Sequence, residues 1–434
     1  MSDVDQPKAS IRAPCRREDA DAILRKLREN GHVAYFAGGC VRDLLLGLAP
    51  KDWDVATDAP PPRVRQLFPN TQAVGAAFGV ILVREGKSVI EVATFRSDVS
   101  YEDGRRPTKV RFTTAEEDAR RRDFTINGLF LDPIENKVID YVGGKEDLKN
   151  KVLRAIGQPE HRFEEDHLRM LRAVRFASRF GLKIDPATYD AIRLHATRLK
   201  RISPERIAEE LRLMLTPPSR NNAWVMLWEF RLLLEIFRYL PSPLHTQLDL
   251  EQSIFLRLAP GESIDFGVAL AAGTLCIRRH TAVQSNVALI ARDEATTLTR
   301  AMRQSLHLSN EEQEQMRRAL TDTGFLLAEK TSTVAALKRI IASRHFPMVH
   351  HLLDAICAAR FYVDKIESLK VAISEAQKSE IAPPPLLTGE DLIAMGLQPG
   401  KLFKVVLDQL YDAQLEGHVR TREKAIEFVK RMTE

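Results

Sequence analysis

Cysteine is scarce in this chain. Only four occur in 434 residues, at Cys15, Cys40, Cys276 and Cys357. They lie too far apart in sequence to form a metal-ligand spacing or a disulfide framework, so a reducing, cytoplasmic compartment is expected. Long apolar runs are lacking as well. Residues 266–277 form one of the longest, short of the ~20 residues a membrane span needs, and no membrane partner is expected. The opening stretch MSDVDQPKAS has no apolar segment and does not read as a signal peptide. No sign of charge dominates: 64 Lys and Arg stand against 59 Asp and Glu, a net +5. That balance permits a nucleic-acid partner, and the placement of the arginines has to decide. His-Asp dipeptides, internal repeats and coiled-coil heptads are absent. With 44% hydrophobic and 28% charged residues, wholesale disorder is excluded. At roughly 150 residues per domain, about three domains are expected.

Strand signals crowd into the first third. Residues 33–38, 52–57, 79–84 and 88–94 are short, β-branched and bounded by Gly, Pro or polar turns. Further strands are expected at 111–113 and 138–142, and helices at 19–30, 41–47 and 61–68, which makes an α/β unit. After about residue 151 the pattern turns helical. One long arginine-rich helix is expected over 161–180, an amphipathic one over 186–199, and one over 203–215 that opens with Ser-Pro. Residues 379–385, polar and then proline-rich, read as a linker, and Thr388-Gly389-Glu390-Asp391 reads as a capped helix start.

Three clusters carry chemistry. In the first, Gly38-Gly39-Cys40-Val41-Arg42-Asp43 precedes Lys51-Asp52-Trp53-Asp54-Val55. On a strand the period of two puts Asp52 and Asp54 on one face. Paired carboxylates repel unless a cation lies between them, and Mg²⁺ takes oxygen ligands of this kind. The glycines let backbone N–H groups approach a phosphate, and Arg42 adds a cation. Glu91 is either a third acidic group beside the metal or an exposed, salt-bridged strand residue. In the second cluster, Arg120-Arg121-Arg122-Asp123-Phe124-Thr125-Ile126-Asn127, the arginines are either a solvated helix face or cations for a triphosphate. The asparagine would then offer an amide to a sugar hydroxyl. In the third, Asp166, Arg169, Arg172 and Arg175 are spaced by three. They form either a solvated stripe or a nucleotide site, with base at one end and phosphates at the other.

In this order the motifs resemble those of the class II tRNA nucleotidyltransferases, the CCA-adding enzymes and their bacterial poly(A) polymerase relatives. The resemblance runs from Gly38 to about Arg206 and returns over 388–400. It implies an α+β fold: a nucleotidyltransferase-type head with a mixed β-sheet, followed by an all-helical neck, body and tail. The corresponding divisions are 1–150, 151–218, 219–378, and 379–434 for linker and tail. It also implies a metal and triphosphate site at Gly38, Gly39, Arg42, Asp52 and Asp54, with Arg122, Asp123 and Asn127 linking metal to ribose. Asp166, Arg169, Arg172 and Arg175 would hold base and phosphates, and Ser203-Pro204-Glu205-Arg206 would brace their helix. The implied partners are CTP, ATP and the acceptor arm of tRNA, with Mg²⁺ as cofactor.

Two departures narrow the reading. With no His-Asp dipeptide, the phosphohydrolase domain of some relatives is not expected. Val74-Gly75-Ala76-Ala77-Phe78 stands where poly(A) polymerases carry a basic element, so the chain looks like the CCA type. Residues 96–107 resemble the family's loop for terminal A addition, with Asp98, Tyr101, Asp103 and Arg105 as its candidates. That loop favours an enzyme able to add A, whether full CCA or A alone. Poly(A) polymerase and a non-catalytic RNA-binding protein are the competing readings.

Overall fold

The computed structural model describes residues 15–73, 78–101, 107–240, 250–259, 261–279, 290–328 and 333–433. Two compact units result. The first comprises residues 1–214 with 229–235, and the second 215–228 with 236–434.

The first unit begins with α1 (Arg17–Glu29), which buries Ala20, Ile23, Leu24 and Leu27, the one-face spacing of an amphipathic helix. Glu18 and Asp19 lie in its first turn and Lys26 and Arg28 in its last, each at the favourable end of the helix dipole. There follow β1 (Ala34–Ala37), α2 (Gly39–Leu45), β2 (Val55–Thr57), α3 (Pro61–Leu67), β3 (Thr71–Ala73), β4 (Val80–Glu85) and β5 (Ser88–Thr94). A hairpin of β6 (Arg96–Tyr101) and β7 (Pro107–Phe112) leads to α4 (Ala115–Arg120), β8 (Leu129–Asp132) and β9 (Lys137–Asp140). The main sheet has seven strands in the order β3-β4-β5-β2-β1-β8-β9. Only β2 and β5 run parallel; the other neighbours are antiparallel. The sheet is therefore mixed, as the resemblance implied.

Next come α5 (Gly144–Lys149), β10 (Val152–Leu153), α6 (Pro159–Glu165), α7 (Arg169–Phe180), β11 (Lys183–Ile184), α8 (Pro186–His195) and α9 (Pro204–Met214). β10 and β11 pair in parallel. Here the structure corrects the sequence reading: the expected helix over 161–180 is two helices. Asp166 breaks them, with extended backbone at φ −149°. Its carboxylate accepts the Leu168 N–H at 3.0 Å, a local bond that competes with helix continuation. α7 then ends at Gly181, whose φ of +63° suits glycine. The strand expected from Asp52 begins only at Val55, and the strands β3, β6, β8, β10 and β11 were not foreseen.

The second unit is helical. Trp224 stacks on Phe255 with centroids 4.0 Å apart, and helix Phe266–Arg279 passes close by: a Cβ on Gly273 would lie 2.8 Å from the indole. Helices Gly389–Ala394, Lys401–Leu415 and Arg422–Thr433 share their own core of Leu387, Leu392, Val406, Leu410 and Val429. The helix start expected at Thr388 is present as a capping box with Asp391. Among the described residues, no helix is long and apolar enough to cross a membrane.

Candidate active site

One cavity of about 530 Å³ in the first unit gathers most of the residues singled out from the sequence. Its carboxylate wall comes from the parallel strand pair. Val55 lies opposite Val92 in the β2–β5 register, so one step earlier Asp54 meets Glu91. Both are half-buried and line the cavity, over a floor that includes Ala56 and Ala93. On β5, Ser88, Ile90, Val92 and Thr94 are buried while Glu91 and Ala93 face the cavity. Asp52 is exposed and lies outside the cavity lining.

Gly38 has φ +70°, and a Cβ there would fall 2.8 Å from Nη1 of Arg122. Glycine thus serves both the backbone conformation and the approach of an arginine. Arg122 is fixed by Asp118, whose Oδ2 accepts its Nη2 at 2.9 Å and its Nε at 3.2 Å. Cys40 is buried and donates to the Ala37 carbonyl, Sγ to O at 3.3 Å. Burial pushes its thiol up to about 12, so it is inert packing within a chemically active motif.

A chain of polar contacts runs from the glycine turn to the helices beyond. Arg42 donates to Oδ1 of Asn127 at 2.6 Å and to Oδ1 of Asp43 at 2.7 Å. Its guanidinium also sits 4.6 Å from the Phe180 ring and 5.1 Å from Phe176. Asn127 Nδ2 donates to Oδ1 of Asp123 at 3.0 Å, and Oδ2 of Asp123 accepts from Arg172. Burial alone would raise the Asp123 carboxyl, but Arg172, Asn127 and Arg169 bring it down to about 2. Burial likewise lowers Arg172, and Asp123 and Glu210 outweigh it, so its guanidinium is held above the usual range.

At the far end, Asp166 and Arg169 both line the cavity, although Asp166 is not on the arginine helix. Arg206 Nη2 donates to Asp166 Oδ2 at 2.7 Å, which ties the 203–206 stretch to this carboxylate rather than to the arginine helix itself. Arg169 donates to Oε2 of Glu165 at 2.5 Å. Arg175 faces Glu210 on α9 across 3.2 Å. Glu210 was missed from the sequence, as were Asp118 and the lining residue Arg179; Arg96 and Arg121, which also line the cavity, fall within stretches the sequence reading quoted. A glutamate between Ala208 and Leu211 on an amphipathic helix carries no motif to flag it. Asp98 and Tyr101 lie on β6, while Asp103 and Arg105 fall outside the described residues.

Among the described residues, eight arginines and four carboxylates line the cavity. The excess of cation suits a polyanion. The donor set of Asp54, just before β2, and Glu91 on the adjacent β5 offers hard oxygen atoms of the kind a divalent cation takes.

Comparison with known proteins finds relatives by sequence and by fold. Residues 34–154 match the family model of the poly A polymerase head domain. Residues 181–242 match that of the probable RNA and SrmB-binding site of polymerase A. A CCA-adding enzyme of Ligilactobacillus salivarius is 44% identical over 221 residues, 50% of this chain and 53% of that protein. Poly(A) polymerase I of Salmonella typhi is 43% identical over 231 residues, 51% of this chain and 50% of that protein. The chain spans about half the length of the curated relatives it matches. The crystal structure of the Bacillus stearothermophilus CCA-adding enzyme in complex with CTP superposes with a TM-score of 0.69 at 28% identity, covering 96% of this chain and 97% of that one. A Thermotoga maritima CCA-adding enzyme complexed with tRNA shares the fold at 21% identity and a TM-score of 0.68, covering 97% of each chain. Over its polymerase head and the RNA-binding segment that follows, the chain is similar to the CCA-adding enzymes and bacterial poly(A) polymerases.

Proposed function

We propose that this protein is a template-independent nucleotidyltransferase that builds or repairs the 3′-terminal CCA of tRNA from CTP and ATP in the cytoplasm. The single observation that carries the proposal is the apposition of Asp54 and Glu91 in a cavity lined by eight arginines. A binding module has no need of such a carboxylate pair. In the reaction the tRNA 3′ oxygen bonds to the α-phosphorus, the bond from that phosphorus to the β-phosphate oxygen breaks, and pyrophosphate leaves. Asp54 and Asp52, with Glu91 alongside, would hold Mg²⁺, which when bound neutralises charge on the attacking and leaving oxygens.

The chain's own residues do the rest. Gly38, Gly39, Arg42, Arg122, Arg172 and Arg175 cradle the triphosphate, and Asn127 faces the ribose while keeping Asp123 in place. Asp166 and Arg169 read the base. The carboxylate accepts a hydrogen bond and the guanidinium donates one. Cytosine and adenine both offer an amino donor beside a ring-nitrogen acceptor, whereas uracil and guanine offer the reverse. One Asp/Arg pair therefore admits C and A and refuses U and G without a template. A division into head (1–150), neck (151–218), body (219–378) and tail (379–434) assigns the later segments to gripping the acceptor arm by shape and backbone contacts.

A second reading, poly(A) polymerase or A-only addition, is favoured by relatives such as the Salmonella enzyme. Incubating the protein with tRNAs ending at the discriminator base, at C and at CC, with each nucleotide separately, distinguishes them. Addition of C, C and then A supports CCA synthesis. Addition of A alone to the CC end, or A tracts on an unrelated RNA, replaces it with the second reading.

A further inference from the structure

Arg172 and Arg175 have two carboxylate neighbours, and the two are held very differently. Asp123 accepts four hydrogen bonds, from Phe124 N, Asn127 Nδ2, and Arg172 Nε and Nη2. Glu210, on α9, is 6% exposed and sits 3.2 Å from Arg175 Nε and 3.8 Å from Arg172 Nη1. Yet its Oε2 and the Arg175 Nε are both buried without a properly directed hydrogen bond. The pair is close but misaligned. Burial pushes the Glu210 carboxyl up, opposed by Arg175 and Arg172, and burial lowers Arg175 in turn. Glu210 supplies charge that keeps two neighbouring guanidiniums from being buried uncompensated. It does not supply the hydrogen bonds that would make it hard to displace.

We infer that Glu210 is a positioning residue that holds Arg172 and Arg175 ready for an incoming triphosphate and yields them to its phosphate oxygens. The inference rests on the reading of those two arginines as triphosphate cations. Phosphate oxygens offer the directed, charge-assisted hydrogen bonds that Glu210 withholds. The carboxylate remains nearby after they arrive, so it opposes the bound anion. Glu210 thereby weakens nucleotide binding, and it favours release of the pyrophosphate product.

The test uses the full-length protein with CTP and with pyrophosphate, measured by calorimetry in one magnesium buffer. Glu210→Gln keeps size and removes charge. It should bind both ligands on the order of ten-fold tighter. The KM for CTP should fall in parallel, while kcat does not rise because pyrophosphate leaves more slowly. A residue that merely stabilises the fold would give weaker binding instead. Glu210→Asp restores the negative charge and should return affinity toward wild type. Should the Gln variant fail to fold, the Asp variant carries the test. Its withdrawn carboxylate should give a smaller tightening in the same direction. Unchanged or weaker binding in folded Glu210→Gln overturns the role of Glu210, as does weaker-than-wild-type binding in Glu210→Asp where only that variant folds. A wild-type protein that binds neither CTP nor pyrophosphate overturns the triphosphate reading with it.

Discussion

One oxygen of Asp123, Oδ2, accepts hydrogen bonds from both Nε and Nη2 of Arg172, at 2.8 and 2.6 Å, across 49 residues of sequence. The other, Oδ1, is occupied by Asn127 and the Phe124 N–H. This carboxylate fastens the arginine helix α7 to the turn that follows α4, and so fixes where the cavity's cations stand relative to its acidic wall.

That contact makes a pH-dependent contribution to stability. The folded Asp123 carboxyl titrates at about 2, below the ~3.9 of an unfolded aspartate. Between these values the unfolded state binds more protons. The stabilisation is therefore complete above about pH 4 and is lost as pH falls toward 2, and it amounts to about 3 kcal/mol. Urea unfolding followed from pH 7 to pH 2 should show this loss in the wild type. In Asp123→Asn it should be correspondingly smaller, from a lower starting stability because Arg172 loses its main partner. Identical pH profiles would mean that Asp123 is not the group responsible.

Removing the acidic wall should stop chemistry and spare binding. Asp54→Ala, and Asp52→Ala at its exposed position two residues earlier, are expected to reduce nucleotide addition by roughly 10³-fold or more, the scale on which loss of a transition-state charge stabiliser is felt. The affinity for tRNA, measured by filter binding, should stay nearly constant. Wild-type turnover in either variant at matched folding would remove that residue from the metal site.

The β6–β7 hairpin and the residues between its strands should matter for one nucleotide more than the others. Deleting 97–106 is expected to leave CC addition in place and to abolish the final A. Gel analysis of products on tRNA ending at the discriminator base reads both at once. Equal loss of C and A addition would assign the hairpin a general structural role.

Base choice should depend on Asp166. In Asp166→Ala, incorporation of all four nucleotides should show UTP or GTP admitted, along with slower addition. Mismatched buried hydrogen-bonding groups can account for selectivity factors of about 10⁴, so the relaxation should be large. The same change removes the partner of Arg206, so a lower melting temperature is expected alongside. An unchanged preference for C and A would take Asp166 out of the base pocket.

Local pattern made much of this molecule legible. β-Branched runs between turn residues marked the strands β1, β4 and β5, and the Thr388 box marked its helix start, because such signals depend on neighbours within a few residues. The period of three exposed the arginines of α7 for the same reason. It also misled, extending the stripe back to Asp166, since helical spacing is blind to a side chain that prefers to bond its own backbone. Residue types and order were enough to point to a metal, a triphosphate and a base.

Partnership was not legible. Asp54 faces Glu91 because two strands separated by an intervening helix and two further strands pair in parallel. Asp123 takes Arg172 because the turn after α4 packs against α7, Phe124 edge-on to Phe176, and Glu210 reaches Arg175 because α9 lies against α7. Each is a long-range choice among many chemically equivalent acids and bases. A period of two or 3.6 fixes which face a side chain occupies; only packing of the faces selects which charge it meets.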